Sequence, residues 1–157
     1  GNLASLYEKL GRVEEALRMR QDVYSRRLEL NGKEREETLR AATNYAASLV
    51  NLRRFKEAKS LLLKTMPVMR RVLGENDEAR LRMRWMYARA LCEDTGATLD
   101  QLREAVTTLE DTDRIARRVI GAAHPLTSAI EEDLREARAA LSAREDVTSL
   151  SDAVGAL

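Results

Sequence analysis

The side chains that most often do chemistry in proteins are scarce in this sequence. His124 is the one imidazole among 157 residues, and Cys92 is the one thiol. No cysteine or serine forms a recognisable nucleophile motif with His124. One Cys and one His cannot make a tetrahedral zinc site, and a lone Cys excludes an intramolecular disulfide. The usual combinations of nucleophile, base and metal ligand are therefore missing.

Clusters of carboxylates remain as candidates for acid–base work. Glu36 and Glu37 form one cluster, and Glu131, Glu132 and Asp133 form another. Both lie in strongly charged stretches without an apolar pocket to shift their pKa values, which favours a solvated helix face. The glycines are isolated, so no phosphate-binding loop is present, and neither an HExxH nor an EF-hand pattern occurs. We predict no enzyme, no metal site and no cofactor.

The overall composition limits the partners. The chain has 27 basic and 26 acidic residues, a formal net charge of +1, which argues against a dedicated nucleic-acid binder. No apolar run approaches the roughly 18–20 residues that cross a bilayer, so membrane insertion is not expected. The sequence begins Gly1-Asn2, so we expect a fragment. We expect a cytoplasmic protein, with organelle targeting left open.

Apolar spacing favours helices throughout. Aromatics make up 4% of the sequence, while the abundant Ala, Leu, Glu and Arg are good helix formers. Apolar residues recur at i, i+3, i+4 and i+7, as in Ala42, Tyr45, Ala46 and Leu49. No stretch alternates convincingly with the two-residue period of a strand. The sequence therefore predicts an all-α fold.

The sequence repeats itself. A shift of 42 residues superposes Asn2 on Asn44 and Gly32 on Gly74, and beyond Leu91 the offset becomes 47. Each unit holds two helices. We predict first helices near 2–11, 35–52, 77–95 and 126–141, and second helices near 13–30, 56–72 and 99–120. The predicted repeat domain is 1–141, with units of about 1–32, 33–74, 75–121 and 122–141, followed by a tail or short capping helix over 142–157.

Local signals mark several helix ends. Thr98 and Gln101 fit a capping box at the start of the second helix predicted near 99–120. Pro67 lies inside a predicted second helix, where it predicts a kink or a break. Three glycines are expected to follow the second helices as residues in the C′ position, namely Gly32, Gly74 and Gly121.

The motifs Asn44-Tyr45-Ala46-x-x-Leu49 and Arg54-Phe55-x-Glu57-Ala58 resemble a tetratricopeptide repeat. The period is longer than the usual repeat of about 34 residues and is similar to that of the kinesin light chain subtype. The linker of that subtype survives best from Ile120 to Thr127, where it includes His124-Pro125. The resemblance implies a right-handed superhelical solenoid of antiparallel helix pairs, about 3.5 repeats long, and gives His124 a structural role.

The resemblance also implies a binding face, lined by the first helix of each unit. In this family the repeated Asn hydrogen-bonds the backbone of a bound peptide, and basic residues meet its carboxylates. The predicted peptide-binding residues are Asn2, Arg40, Asn44, Arg82, Trp85 and Arg89. Other residues at ligand-facing positions are Ser5, Lys9, Thr43, Ala47, Asn51, Met86, Glu132, Asp133 and Glu136. Met86 and Asp133 stand at positions where the family commonly has this Asn.

Two functions follow as hypotheses. The first is a noncatalytic protein–protein interaction module that binds a partner segment, expected to be acidic, in the concave groove. The alternative is an architectural subunit of a larger complex that docks through its convex face or its ends. The arginines around Trp85 also suit RNA, although the period does not match the one-base-per-repeat proteins. Trp85 could instead pack between helices, with the arginines solvated or paired with Glu78 and Glu93.

Overall fold

The computed structural model describes residues 2–9 and 11–157; for residues 7–9 it describes the backbone alone. In these residues the chain forms seven α-helices and no β-strand. This confirms the all-α prediction. The helices are α1 (Asn2–Lys9), α2 (Val13–Asn31), α3 (Glu36–Asn51), α4 (Phe55–Val72), α5 (Glu78–Cys92), α6 (Leu99–Val119) and α7 (Pro125–Gly155).

The helices stack as pairs in two layers. Each helix packs against the next one along the chain. In addition, α3 packs against α5 and α5 against α7, whereas in the described residues the backbones of α2, α4 and α6 do not approach one another closely. When one layer of a stack is close-packed and the other layer is splayed, the stack curves toward the close-packed layer. The concave face is therefore formed by the first helices α3, α5 and α7.

Small residues allow the helices of a pair to approach closely. Ala16, Ala58 and Ala105 lie just inside the second helices, and all three are fully buried. Around them a continuous core runs through the stack, from Leu17 in α2 to Ala137 in α7. Because each unit buries its apolar faces against its neighbours, the stability of the solenoid depends on these shared interfaces.

The helix ends follow the local signals in most places. Thr98 and Gln101 form the predicted capping box: the Gln101 N–H donates to the Thr98 hydroxyl at 3.1 Å, and the Thr98 N–H donates to the Gln101 side chain at 2.9 Å. Gly32 and Gly121 have φ of 81° and 89°, as expected after a helix. Gly74 lacks this conformation, because the chain already leaves α4 in an extended form at Leu73, which is buried in the core.

Pro67 does not break α4, which is continuous from Phe55 to Val72. A proline removes the hydrogen bond to the carbonyl four residues earlier, here that of Leu63. Leu63 and Pro67 are both exposed, whereas Val68 and Met69 are buried. Water can reach the affected side of the helix, while core packing holds the opposite side in place. The predicted break is therefore wrong.

The last helix is longer than the sequence predicts. We expected it to end near 141, followed by a tail or a short capping helix over 142–157, but α7 continues to Gly155. No proline or glycine interrupts the chain before Gly155, so nothing local ends the helix at 141. Beyond Leu141 every residue is exposed. The C-terminal segment is thus an extension of α7 beyond the packed core, in which Glu145 pairs with Arg103 of α6 at 3.4 Å, while the unit boundaries stay a prediction.

Candidate functional site

The candidate residues lie on the first helices, three of them on α5. Asp77 fixes where α5 begins, because its side chain accepts a hydrogen bond of 2.8 Å from the Ala79 N–H. From that start, Arg82, Trp85 and Arg89 follow at intervals of three and four residues and share one side of the helix. α5 therefore presents these three side chains together.

Trp85 lies at the junction between α5 and α7. Its indole Nε1 donates a hydrogen bond of 2.6 Å to Oδ2 of Asp133 on α7. The Arg89 guanidinium lies 5.6 Å from the indole ring centroid, and its Nε is 3.7 Å from the same carboxylate oxygen. The ring is half-buried and packs on the core. Trp85 thus joins two neighbouring repeats.

Arg89 has partners on three helices. Within α5 it makes two hydrogen bonds to the Glu93 carboxylate, at 2.8 and 3.3 Å. A third, at 3.4 Å, reaches Oδ1 of Asn51 at the end of α3, and Asp133 belongs to α7. Hydrogen bonds between charged groups in a partly buried site are among the stronger polar contacts in proteins. The Arg89 side chain therefore ties α3, α5 and α7 together.

Burial shapes the electrostatics of this junction. Loss of hydration raises the pKa of the Asp133 carboxyl, and the neighbouring Glu93 and Glu132 add to this. The hydrogen bond from Trp85 and the charge of Arg89 act in the opposite direction without cancelling the effect. A carboxylate in this place is thus held by its partners against a cost of desolvation.

Arg40 and Arg82 are the accessible cations of the face. Arg40 binds Oε1 of Glu36 through Nε at 3.0 Å and a terminal nitrogen at 2.5 Å, and Arg82 binds Glu78 at 2.9 Å. Both arginine side chains are half-exposed. Exposed pairs one helical turn apart contribute only about 0.3–0.5 kcal/mol. A partner carboxylate could displace Glu36 or Glu78 at small cost.

Asn2 and Asn44 occupy equivalent positions in the first helices of successive repeats. Both are exposed. Within the described part of the chain, neither side-chain amide has a hydrogen-bond partner, although the Asn44 backbone carbonyl accepts one from Arg20. An amide offers a donor and an acceptor at once, which matches the peptide backbone.

Other residues expected on the face lie elsewhere. Thr43 is buried and donates to the Leu39 carbonyl at 3.0 Å, and Met86 is buried in the core. Those two predictions are wrong, because both side chains turn toward the core. Ser5 accepts a hydrogen bond from Arg20. Lys9 lies outside the residues whose side chains are described.

Sequence reasoning missed how Asp133 is used. Its position was noted only as a departure from the family's Asn, yet it accepts the Trp85 hydrogen bond across 48 residues of sequence. Neither helical spacing nor the repeat offset carries a signal for such a contact. The pairing of Arg82 with Glu78 was easier to foresee, since it lies four residues away on the same helix.

His124 and Cys92, which carry the imidazole and the thiol, both lie in settings typical of structural residues. His124 precedes α7, and its ring Nδ1 accepts a hydrogen bond of 3.0 Å from the Leu126 N–H, so it caps that helix. Cys92 is half-buried, and burial raises the pKa of its thiol to about 11. Among the described residues no group of His, Cys, Asp or Glu is placed to hold a metal ion. No described helix has both the length and the apolarity of a membrane span.

Cys92 should react slowly with thiol reagents. A thiol pKa of about 11 instead of 9 lowers the thiolate population near neutral pH about 100-fold. We expect iodoacetamide to alkylate the native protein at least about 100-fold more slowly than the unfolded protein. Mass spectrometry at timed intervals, with and without denaturant, measures both rates. Equal rates would show that the thiol is neither buried nor shifted.

The sequence model of the tetratricopeptide repeat matches residues 1–36 and 38–79. This part of the chain therefore consists of tetratricopeptide repeats. No curated protein is similar enough to this chain to count as a match. Repeats of this kind are general protein–protein interaction modules, and their fold is typically a noncatalytic scaffold.

Solved structures agree on the fold of the tetratricopeptide-repeat chain. One is a Podosopora anserina protein with nearly identical TPR-like repeats, assigned as a kinesin light chain: it shares 24% identity and a TM-score of 0.78, over 99% of this chain and 71% of that one. A variant of that protein gives 20% identity and a TM-score of 0.56, over 99% and 91% of the two chains. The predicted solenoid of tetratricopeptide-like helix pairs is confirmed, and its fold is similar to that of these kinesin light chain-like repeats.

Proposed function

We propose that this protein binds an acidic, extended segment of a partner protein along its concave face. The observation that supports the proposal most is the pair of exposed amides at Asn2 and Asn44, for which the described residues offer no hydrogen-bond partner. They recur at equivalent positions of α1 and α3, so a peptide backbone that runs from the concave face onto α1 could meet both. A partner segment of this kind fits the repeat family's general use as an interaction module.

Arg40 and Arg82 give this proposal its charge preference. Each is paired with a glutamate of its own helix, and Arg40 also lies 3.8 Å from the Asp77 carboxylate; the gain from such exposed pairs is small. A partner carboxylate would replace Glu36 or Glu78 as the acceptor. Trp85 and Arg89 enter the proposal as positioning residues, since they hold α5 against its neighbours and have partners already.

A charge reversal tests the proposal. Peptides are selected on the wild-type protein from a random display library, and their affinities are measured by fluorescence anisotropy. We expect enrichment of Asp and Glu, and about tenfold or greater weakening by the double substitution Arg40→Glu, Arg82→Glu. Arg71→Glu is the matched control, because Arg71 forms an exposed ion pair with Glu34 away from the first helices.

Two outcomes would count against concave binding. One is selection of peptides without acidic enrichment. The other is an equal loss of affinity in the double variant and in the Arg71→Glu control, which would indicate a nonspecific charge effect. Asn44→Ala should weaken all selected peptides to a similar extent, because it removes a contact to the backbone and not to a particular side chain.

The architectural alternative has one observation in its favour. The extension of α7 beyond Leu141 exposes Val147, Leu150 and Val154, whose spacing places them on one side of the helix. A neighbouring subunit could cover that stripe. If Val147→Ser with Leu150→Ser abolished partner capture while the concave double variant retained it, the function would be docking through the end of the solenoid.

A further inference from the structure

A second groove lies on the other side of α5. In the described residues the backbones of the second helices α4 and α6 do not approach each other closely, so the space between them is open, with α5 as its floor. The groove has a volume of about 850 Å³. We call it the α4–α6 groove; its residues include Leu63, Met66, Arg70, Arg80, Arg84 and Asp111.

The α4 side of the groove is mainly apolar. Leu63, Met66, Pro67 and Arg70 are spaced at i, i+3, i+4 and i+7, so they form one stripe along the helix. Leu63 is 57% exposed, which is unusual for a large aliphatic side chain in the middle of a packed helix. The stripe spans about 10 Å of the helix axis, the length of two helical turns.

The floor has the same spacing. Arg80, Met83, Arg84 and Tyr87 of α5 line the groove. With 3.6 residues per turn, this set lies on the side of α5 opposite to Arg82, Trp85 and Arg89. The arginines of α5 are therefore divided between two surfaces, and the α4–α6 groove is separate from the concave face.

The two carboxylates on the α6 side of the groove already have hydrogen-bond partners. Tyr87 donates a hydrogen bond of 2.7 Å to Glu104, and Arg84 donates one of 2.5 Å to Asp111, which also accepts from Arg114. These contacts use the two carboxylates of α6 that line the groove. The remaining arginines of the groove are Arg70 on α4 and Arg80 near the start of α5.

The guanidinium groups of Arg70 and Arg80 have no hydrogen bond or ion pair with any described residue. Arg80 is half-buried, and burial followed by repulsion from Arg84 and Arg70 lowers the pKa of its guanidinium, in spite of attraction by Glu75 and Asp77. A cation that has lost part of its hydration without gaining an ion-pair partner would be stabilised by an added carboxylate. The adjacent apolar stripe would bury bulky side chains of the same ligand.

We propose that the α4–α6 groove is a second interaction surface, which binds a partner segment carrying a carboxylate beside bulky apolar side chains. The carboxylate pairs with Arg80, with Arg70 at the rim, and the apolar side chains cover Leu63 and Met66. This combination favours a protein over RNA, because a polyanion would leave the apolar stripe uncovered and would meet Glu75, Glu104 and Asp111.

Designed peptides test this surface. The probe is a fluorescein-labelled helical peptide with leucines on one side and glutamates beside them, measured by anisotropy. Two comparison peptides replace Glu by Lys or Leu by Ser. We expect the Leu/Glu peptide to bind the wild-type protein at least about tenfold more tightly than either comparison peptide. Failure of that peptide to bind, or tighter binding of single-stranded RNA at the same surface, would overturn the proposal.

Matched variants locate the binding. Arg80→Glu should weaken the Leu/Glu peptide about tenfold or more, and Leu63→Ser should weaken it several-fold. Arg82→Glu, two residues away on the opposite side of α5, should weaken this peptide much less than Arg80→Glu does, and Leu30→Ser, at an 82% exposed leucine, should leave the affinity unchanged. If Arg82→Glu reduced binding as much as Arg80→Glu, the concave face would be the site and this proposal would be wrong.

The variants are expected to fold. Arg80 has no polar partner to lose and is repelled by Arg84, and Leu63 is mostly exposed. Circular dichroism melts of both variants should match the wild type. Arg80→Gln, which removes the charge without reversing it, should give an intermediate affinity, and an affinity equal to wild type would contradict the charge pairing.

Discussion

Leu81→Ala should lower the free energy of unfolding by about 3 kcal/mol. Leu81 is fully buried, at 0% exposure, in the core that runs through the stack. Its helix, α5, packs against four others, α3, α4, α6 and α7. The truncation therefore removes transfer free energy and leaves a cavity where surrounding helices have little room to collapse. For a chain of this size the midpoint of thermal unfolding should fall by about 6–12 °C.

Leu63→Ala is the matched control for that prediction. The chemical change is identical, but Leu63 is 57% exposed and leaves no enclosed cavity. Its effect should stay below about 1 kcal/mol. Urea unfolding followed by circular dichroism measures both variants. Equal effects would contradict the packing described here, because they would mean that α5 is not the centre of the stack.

The fold was predictable because the signals that define it are local and repeated. The helical spacing of Ala42, Tyr45, Ala46 and Leu49 is set by the geometry of one helix, and the capping box of Thr98 and Gln101 by one turn. The repeat offset then predicts that successive helix pairs pack alike. Where a local signal competed with core packing, packing prevailed: buried Leu73 takes the chain out of α4 before Gly74.

The candidate site was predictable only in part. Spacing alone places Arg82, Trp85 and Arg89 on one side of α5, and it also makes Glu78 a natural partner of Arg82. The contact between Trp85 and Asp133 depends on how two repeats stack, so nothing in either stretch of sequence indicates it. Likewise, Arg80 and Arg82 look equivalent as neighbours in a basic run. They differ in role because the splayed second helices expose one side of α5 and the close-packed first helices line the other.

Trp85→Ala should destabilise the protein by about 2–3 kcal/mol, below the usual cost for a fully buried Trp because this ring is half-buried. The substitution removes the packing between α5 and α7 and the ring beneath Arg89. It also leaves the Asp133 carboxylate without its hydrogen-bond donor in a desolvated place. Trp85→Phe retains an aromatic ring but loses the N–H and some contact area of the larger indole, so its cost should be about 1–2 kcal/mol. Thermal and urea unfolding measure both.

Asp133→Asn separates the hydrogen bond from the charge. An Asn oxygen can still accept from the Trp85 indole, while the cost of desolvating a carboxylate disappears. The raised pKa of Asp133 means that the folded protein binds this proton more tightly than the unfolded chain. Its contribution to stability therefore rises as the pH falls through the folded pKa, and at neutral pH the charge is a net cost. Asp133→Asn should accordingly cost less than Trp85→Phe.

These variants also decide what Trp85 does. If Trp85 holds the repeats together, Trp85→Ala lowers the free energy of unfolding. At temperatures where this variant is still folded, its affinity for a partner then falls less than the affinity of the Arg40→Glu, Arg82→Glu variant. If it contacts the partner directly, Trp85→Ala leaves the unfolding free energy nearly unchanged and abolishes binding. The hydrogen bond of 2.6 Å to Asp133 favours the first outcome, because a donor already engaged with α7 is not free to bind a ligand.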